Sequence, residues 1–489
     1  MRIEHFLEKK EANHVSILKK IIHEGGKISY EELRHYLNIS KASLENYLDE
    51  IRINFSDYQG KCQLQLNGSE ITLQVDNLFS IETIYSDYVR KSLKFQIIDY
   101  IYKHQEFTVV KIVRDLAISE STLFRKIKEV NAFLKEFNIK IKNGHLYGEE
   151  LQIRYFYFQV YAYIMTEAEL QEALLANRSH SLIAAFEKEL EIKISGFSRK
   201  RVGLWVLISK KRAKSVKKIY RTMLQKMKPY RDDYLYNQVR QLVLLYSSRY
   251  SIELEDEETM LHYIFLTTQS ILSEQDFNNY ELIRSRRTPT AMMDTLSRET
   301  ILSYYRPIKP TIALERKITF YLSQINGILY FFDGALEIRA ANSELSKVNG
   351  IWENNLDQLG LQLLETALAT IQKTRIPESS LQALTLMNYN TILAIVDLSI
   401  SKEVALGIDL DLDDMQREYL TQTLILKLKN TIGLTVESYQ ENSNYDLVVT
   451  TNKATYYSPG TEVYLISERF SKFDLFQIKS IIDGLKGQI

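Results

Sequence analysis

Cysteine occurs once in 489 residues, proline six times and glycine 17 times. The lone thiol, Cys62, excludes an intramolecular disulfide and any thiolate metal cluster, and it fits a reducing compartment. The prolines are Pro229, Pro289, Pro307, Pro310, Pro377 and Pro459, so the first 228 residues contain none. Long helices need such scarcity, because proline removes a backbone donor and an interior glycine costs about 1 kcal/mol. No run of 18 apolar residues is expected to span a bilayer. Met1 to Lys10 alternate charged with apolar side chains and lack the apolar stretch of a secretory signal. An excess of charge is also missing, since Lys+Arg and Asp+Glu number 62 each. A cytoplasmic chain is expected. At ~150 residues per domain the length implies three or four domains, and 45% hydrophobic with 25% charged residues is ordinary for a globular protein.

Catalytic signatures are absent too. No G-x-S-x-G, Walker loop, H-E-x-x-H or G-x-G-x-x-G occurs. The eight histidines (His5, His14, His23, His35, His104, His145, His180, His262) form no metal-ligand spacing. Neither enzymatic activity nor a cofactor or metal is expected.

What is present is helical periodicity. Ile and Leu recur at three- and four-residue spacing from residue 12 to about 375. Alternation interrupts it at Cys62–Val75 and Ile139–Tyr147, each containing Asn-Gly, a dipeptide that favours a type I′ hairpin turn. After Leu384 the pattern changes. Short apolar runs at Ile392–Val396, Tyr445–Val449 and Glu462–Ile466 alternate with helical stretches at Asp413–Lys429 and Phe470–Leu485. That alternation predicts a small parallel α/β domain. The expected class is mainly α and multidomain: winged units, central helical bundles and an α/β end.

The chain repeats itself at an offset of 79. Leu37-Asn38-Ile39-Ser40-Lys41-Ala42-Ser43-Leu44 matches Leu116-Ala117-Ile118-Ser119-Glu120-Ser121-Thr122-Leu123. After each Ser, apolar residues fall at i, i+4, i+7 and i+11: Leu44, Leu48, Ile51, Phe55 and Leu123, Ile127, Val130, Leu134. This is one buried stripe on a helix. A shorter helix precedes each (Tyr30–Leu37, Val109–Leu116), a longer one precedes that (Asn13–His23, Lys94–His104), and an Asn-Gly hairpin follows. Such an order is that of a winged helix-turn-helix, here in tandem.

The face opposite the stripe of the second copy, with its flanks, carries Ser121, Thr122, Arg125, Lys126 and Lys128, with Ser119 at the cap. Hydroxyls and guanidinium groups at a helix start reach base edges in the major groove, and lysines further along meet phosphate. Equivalent positions in the first copy, Ala42, Ser43, Asn46, Tyr47 and Asp49, are far less basic. Residues 1–83 hold ten Lys/Arg against 13 Asp/Glu, net −3; residues 84–148 hold twelve against seven, net +5. The second unit should therefore dominate DNA contact, with Lys41, Ser43, Asn46 and Tyr47 adding weaker contacts or serving packing. Winged helices also bind proteins, so an interaction module is a second reading. Thirteen Lys/Arg and no acid lie between Arg199 and Arg231. This tract either extends the DNA footprint, binds an anionic partner, or is a solvated face neutralised by acids such as Glu253–Glu258.

The two LxIS-x-[AS]-[ST]-L units, followed by Ser198-Arg199-Lys200-Arg201-Val202-Gly203-Leu204-Trp205, resemble the Mga/RofA-like regulators of Gram-positive cocci. The resemblance implies stand-alone transcription regulators, virulence- or carbohydrate-linked, that act as dimers or higher oligomers. It implies five parts: winged helices at 1–83 and 84–150, helical domains similar to phosphotransferase-system regulation domains at 151–282 and 283–384, and an enzyme IIB-like domain at 385–489. The family's regulatory histidines imply phosphotransferase carrier proteins as partners, with His180 and His262 as the central candidates. Enzyme IIB proteins use a cysteine after their first strand. Here Ile392–Val396, read as that strand, leads into Asp397-Leu398-Ser399-Ile400-Ser401 without a thiol, so a non-catalytic reuse of the fold is expected. The expected partners are double-stranded DNA and a second copy of the chain, not a membrane. The rival readings are an RNA-binding antiterminator with the same type of central domains, a protein-interaction scaffold, and a phosphotransferase component.

Overall fold

Each copy of the repeat folds as its spacing predicts. The computed structural model describes all residues except 178, 216, 250–254, 307–309, 338–353, 401–402, 429–430, 432, 442, 453–456, 467–469 and 488–489. The first copy runs α1 (Lys9–His23), β1 (Lys27–Ser29), α2 (Tyr30–Leu37), α3 (Lys41–Phe55), β2 (Cys62–Asn67) and β3 (Glu70–Val75). The second runs α4 (Glu82–Lys91), α5 (Leu93–His104), α6 (Val109–Asp115), α7 (Glu120–Leu134), β4 (Lys140–Lys142) and β5 (His145–Tyr147). Between the last two helices of each copy the chain turns through a left-handed residue, Asn38 (φ 50°) or Ala117 (φ 51°). The following serine then caps the third helix: Ser40 Oγ accepts from the Ser43 N–H and Ser119 Oγ from the Thr122 N–H, both at 3.2 Å.

The hairpins differ. Asn143 (φ 51°) and Gly144 (φ 78°) close β4 on β5 between the paired residues Lys142 and His145, as a type I′ turn requires. In the first copy Asn67 already pairs with Glu70, so the turn residues are Gly68 and Ser69. Only Gly68 has positive φ, which is the type II′ pattern rather than the expected I′. A strand not foreseen from the sequence, β1, adds to this hairpin antiparallel to β3, placing Ile28 opposite Ile71.

Two compact units make up the chain. One comprises residues 1–297 and 320–389, the other residues 298–319 and 390–489. In the first, α8 (Glu150–Ile164) follows the second wing and is buried nearly all round. The Arg154–Tyr161 stretch is core, as expected: its aromatic side chains are buried together with Arg154. Around it come α9 (Glu167–Ala176), α10 (His180–Glu189), α11 (Gly196–Ala213), α12 (Arg221–Met227), α13 (Tyr234–Arg249), α14 (Asp256–Thr268) and α15 (Glu274–Ile283). A single apolar cluster runs from Phe6 through both winged units to Trp205, Phe265 and Phe332. The charges buried around α8 are paired: Arg154 bonds Glu150 (2.8 Å) and Glu258 (2.7 Å twice), and Arg212 bonds Glu150 (3.0 and 2.7 Å). Further along are α16 (Pro289–Tyr304), α17 (Ile312–Phe331), α18 (Asn354–Thr370) and α19 (Ser380–Ile400).

The second unit holds a four-stranded parallel sheet in the order β7-β6-β8-β9, with β6 (Val404–Asp409), β7 (Leu434–Ser438), β8 (Leu447–Thr450) and β9 (Glu462–Leu465). Its helices α20 (Asp414–Leu428) and α21 (Lys472–Gly487) bury Leu424, Leu428, Ile478 and Ile482 with Leu406, Ile408, Leu447 and Val449. The expected parallel α/β end is present, but its first strand is β6. Ile392–Val396, read as a strand, lies inside α19. There Leu381, Thr385, Tyr389, Leu393 and Val396 are buried at helical spacing. The residues after β6, Leu410-Asp411-Leu412-Asp413, contain no thiol either. By length and composition α19 is apolar enough to cross a membrane, although Gln382, Asn388, Asn390 and Asp397 interrupt it, so the expectation of no unbroken run of 18 apolar residues stands. Its Tyr389 side chain is buried, and the hydroxyl hydrogen-bonds Asn326. Ser401, Lys429 and Glu253 lie outside the described residues.

Candidate nucleic-acid interface

The inward stripe of α7 is Leu123, Val130, Phe133 and Leu134, all buried, with Ile127 half-buried. Turned away from it are Ser121, Phe124, Arg125, Lys128 and Ala132, all exposed. Their spacing of three, one, three and four makes one continuous face. Ser119 caps, and its hydroxyl also bonds Ser121 Oγ and Thr122 Oγ1 at 2.9 Å each. Thr122 is half-buried within that hydroxyl cluster. Among the described residues no carboxylate lies within 4 Å of Arg125 or Lys128, which leaves two uncompensated cations on an exposed helix face.

Lys126 requires correction. Its residue type suggests the outward flank, but it is 6% exposed and donates to Glu8 (2.7 Å) and Glu129 (2.9 Å). Burial opposes its charge, yet the two carboxylates outweigh burial and raise its pKa. The reason is geometric: Lys126 stands three residues after Leu123 and four before Val130, inside the apolar stripe. Its counterpart at the offset of 79, Tyr47, also turns inward. The Tyr47 hydroxyl accepts from Asn13 (3.0 Å) and its ring meets His14 edge-on at 5.5 Å. Tyr47 is therefore a packing residue too.

The rest of α3 differs in charge. Its outward face carries Lys41, Ala42, Glu45, Asn46, Asp49 and Ile53, all exposed. Lys41 lies 4.0 Å from Glu45, Asn46 bonds Glu50 (3.3 Å), and Ser43 bonds the cap Ser40 (2.9 Å). Acids on that face disfavour phosphate, as the segment charges predict.

Sequence reasoning missed Phe124, 56% exposed beside Arg125. The 121/124/125/128 spacing carried the signal. It also left the second wing without named residues. Lys140 and Lys142 stand over the ring of Tyr147 at 5.8 and 5.7 Å, all three exposed. Asn131 of α7 holds this wing: its amide donates to the Ile141 carbonyl (3.1 Å) and its oxygen accepts from the Ile141 N–H (2.6 Å).

Part of the basic tract is engaged internally. Arg199 pairs with Glu187, Lys200 with Glu167, Arg212 with Glu150, and Lys218 with Glu255 and Glu258. Arg201 is tucked over Phe158 and bonds Gln269. The two central histidines part company. His180 is exposed at the start of α10. His262 is 5% exposed, its Nδ1 accepts from Trp205 Nε1 (3.2 Å), and burial pushes its pKa down to about 4. It is enclosed against any phosphoryl donor, which corrects the expectation that it shares the candidacy of His180.

Helices α5, α6 and α7, with Arg125 and Lys128 of α7 turned to solvent, followed by the β4–β5 hairpin, define the class: a winged helix-turn-helix. The family model described as the Mga helix-turn-helix domain matches residues 77–161, from just before α4 into α8. A Streptococcus pneumoniae serotype 4 protein named "Putative trans-acting regulator" is 24% identical over 159 residues, 32% of this chain and 31% of that protein. The chain thus spans under a third of that relative's length. Residues 77–161 are thus similar to the Mga helix-turn-helix domain, and the relative matched over part of the chain is one named as a regulator.

Proposed function

We propose that the protein is a sequence-specific DNA-binding transcription regulator and not an enzyme. The observation that carries this reading is the exposed face of α7, where Arg125 and Lys128 have no carboxylate within 4 Å among the described residues, inside the span matched by the Mga helix-turn-helix domain. Ser121, Thr122 and Arg125 read base edges, and Lys128 meets phosphate. The first copy contributes Lys41, Ser43 and Asn46 at its margin. The work is divided among winged helices at 1–83 and 84–150, helical regulatory domains at 151–282 and 283–384, and an α/β domain at 385–489. The protein acts in the cytoplasm as a dimer or higher oligomer, because linked binding raises affinity for a unit whose net charge is only +5. A phosphotransferase carrier signal enters through His180 rather than His262.

Competition between duplex DNA and hairpin RNA for the full chain tests the reading. Duplex DNA should win, and Arg125→Ala with Lys128→Ala should abolish the preference for specific duplex. RNA winning, or salt-insensitive binding untouched by both substitutions, would replace the reading with an antiterminator or a protein-interaction scaffold.

A further inference from the structure

A cleft of about 390 Å³ opens where the second wing meets the loop between α11 and α12. The wing contributes Lys142, Asn143, His145 and Tyr147, and the loop contributes Lys217 and Lys218; no acid lines it. Its walls are fixed to one another. The Glu150 N–H donates to the Ile219 carbonyl at 2.8 Å, joining the loop to the wing's exit. Glu149 accepts from the N–H groups of Thr222 (2.9 Å) and Met223 (3.4 Å), anchoring the segment that follows. At the wing tip, the Phe107 N–H donates to the Gly144 carbonyl at 2.9 Å.

The cations in the cleft are not equivalent. Lys218 is neutralised by Glu255 (2.9 Å) and Glu258 (3.5 Å). Lys142 and Lys217 are exposed, and among the described residues no carboxylate lies within 4 Å of either. The Tyr147 ring beneath Lys142 attracts its charge without cancelling it. Two lysines from separate, mutually fixed segments thus line one cavity that, among the described residues, has no acid in its walls. Lysine binds phosphate as a point charge, whereas the planar fork of arginine matches carboxylate and phosphate alike. We propose that this cleft binds a phosphate group between Lys142 and Lys217. Because Asn131 ties this wing to α7, the source is the phosphodiester backbone beside the α7 contact; the same chemistry would also admit the phosphate of a free small molecule. The backbone source rests on the DNA-binding reading above.

The test compares the full-length protein with Lys142→Gln/Lys217→Gln, using Lys214→Gln, exposed on the same loop but outside the cleft, as a control. With duplex DNA, the double substitution should weaken specific and unrelated sequences alike. It should also flatten the slope of log K against log[salt] by about 0.9 for each phosphate that is no longer neutralised. In parallel, inorganic phosphate is titrated at fixed ionic strength. Phosphate binding by the wild type, abolished in the double variant while the DNA slope stays the same, supports the cleft with a small-molecule source. An unchanged salt slope together with no difference in phosphate binding overturns the proposal. If the wild type binds no duplex at all, the DNA reading fails separately, and the phosphate titration alone decides the cleft.

Discussion

Lys126 and Lys128 are two residues apart in sequence but about 200° apart around α7, so substituting each to methionine separates packing from groove contact. Lys126 is buried and bonded to Glu8 and Glu129. Those carboxylates are 41% and 37% exposed, so water takes up part of what Lys126→Met removes. The cost is then about 1–3 kcal/mol, below the 3–5 kcal/mol of stranding a fully buried charge. Hydrogen exchange of α7 amides reads this locally, without assuming that a chain with two compact units unfolds in one step. Protection should fall by about 5- to 150-fold, since each 1.4 kcal/mol is a factor of ten. The salt slope of DNA binding should not change. Lys128→Met should do the reverse: stability within about 0.5 kcal/mol and a salt slope flatter by about 0.9. If Lys126→Met flattens the slope while leaving protection intact, the assignment of faces on α7 is wrong.

Three other outcomes follow from the same structure. Arg154→Met leaves Glu150 and Glu258 buried with one cation fewer each, so it should destabilise by about 3–5 kcal/mol. Adding Glu258→Gln should recover part of that stability in a double-mutant cycle read by urea unfolding. His262 has its pKa pushed down to about 4 by burial, whereas an unfolded histidine titrates near ~6.5. The unfolded state then binds the extra proton between those values, so this contribution is complete above pH ~6.5 and declines as pH falls toward 4, by about 2 kcal/mol between pH 7 and 5. His262→Gln, which keeps an acceptor for Trp205, should flatten that dependence, and an identical urea midpoint profile would refute it. Ala117 holds φ 51° where the first copy has Asn38 at 50°. Ala117→Asn should stabilise by about 0.5–1 kcal/mol, since asparagine tolerates this conformation better, and a lower urea midpoint would count against it.

Much of the fold was legible in the sequence because the repeat supplied two independent readings of one pattern. α2 matches its predicted span of Tyr30–Leu37, and the second hairpin closes at Asn143-Gly144. Where the structure departs from expectation, the physical cause can be named. Ile392–Val396 is a short run of consecutive apolar residues, a pattern that a buried strand and a buried helix share. Its membership in a helix shows only in the wider spacing back to Leu381. Lys126 and Tyr47 point outward by residue type but inward by their positions in the stripe; a charged or phenolic tip reaches a partner from a buried position. Phe124 escapes notice for the opposite reason, as an apolar residue on a face sought for its polarity. The pairing of the Arg199–Arg231 tract was legible in part: Glu255 and Glu258, which hold Lys218, fall in the Glu253–Glu258 run named for it, whereas Glu150, Glu167 and Glu187 come from α8, α9 and α10 and left no local signal.

A hydroxyl-radical footprint on the upstream regions of the chain's own genome bears most directly on α7 as the reading element. The wild type should protect a defined site. Arg125→Ala/Lys128→Ala, with unchanged exchange protection of α7, should lose that site while the first-copy substitutions Lys41→Ala/Asn46→Ala only weaken it. A footprint that survives the α7 pair intact, or that depends on the α3 pair instead, would contradict the account.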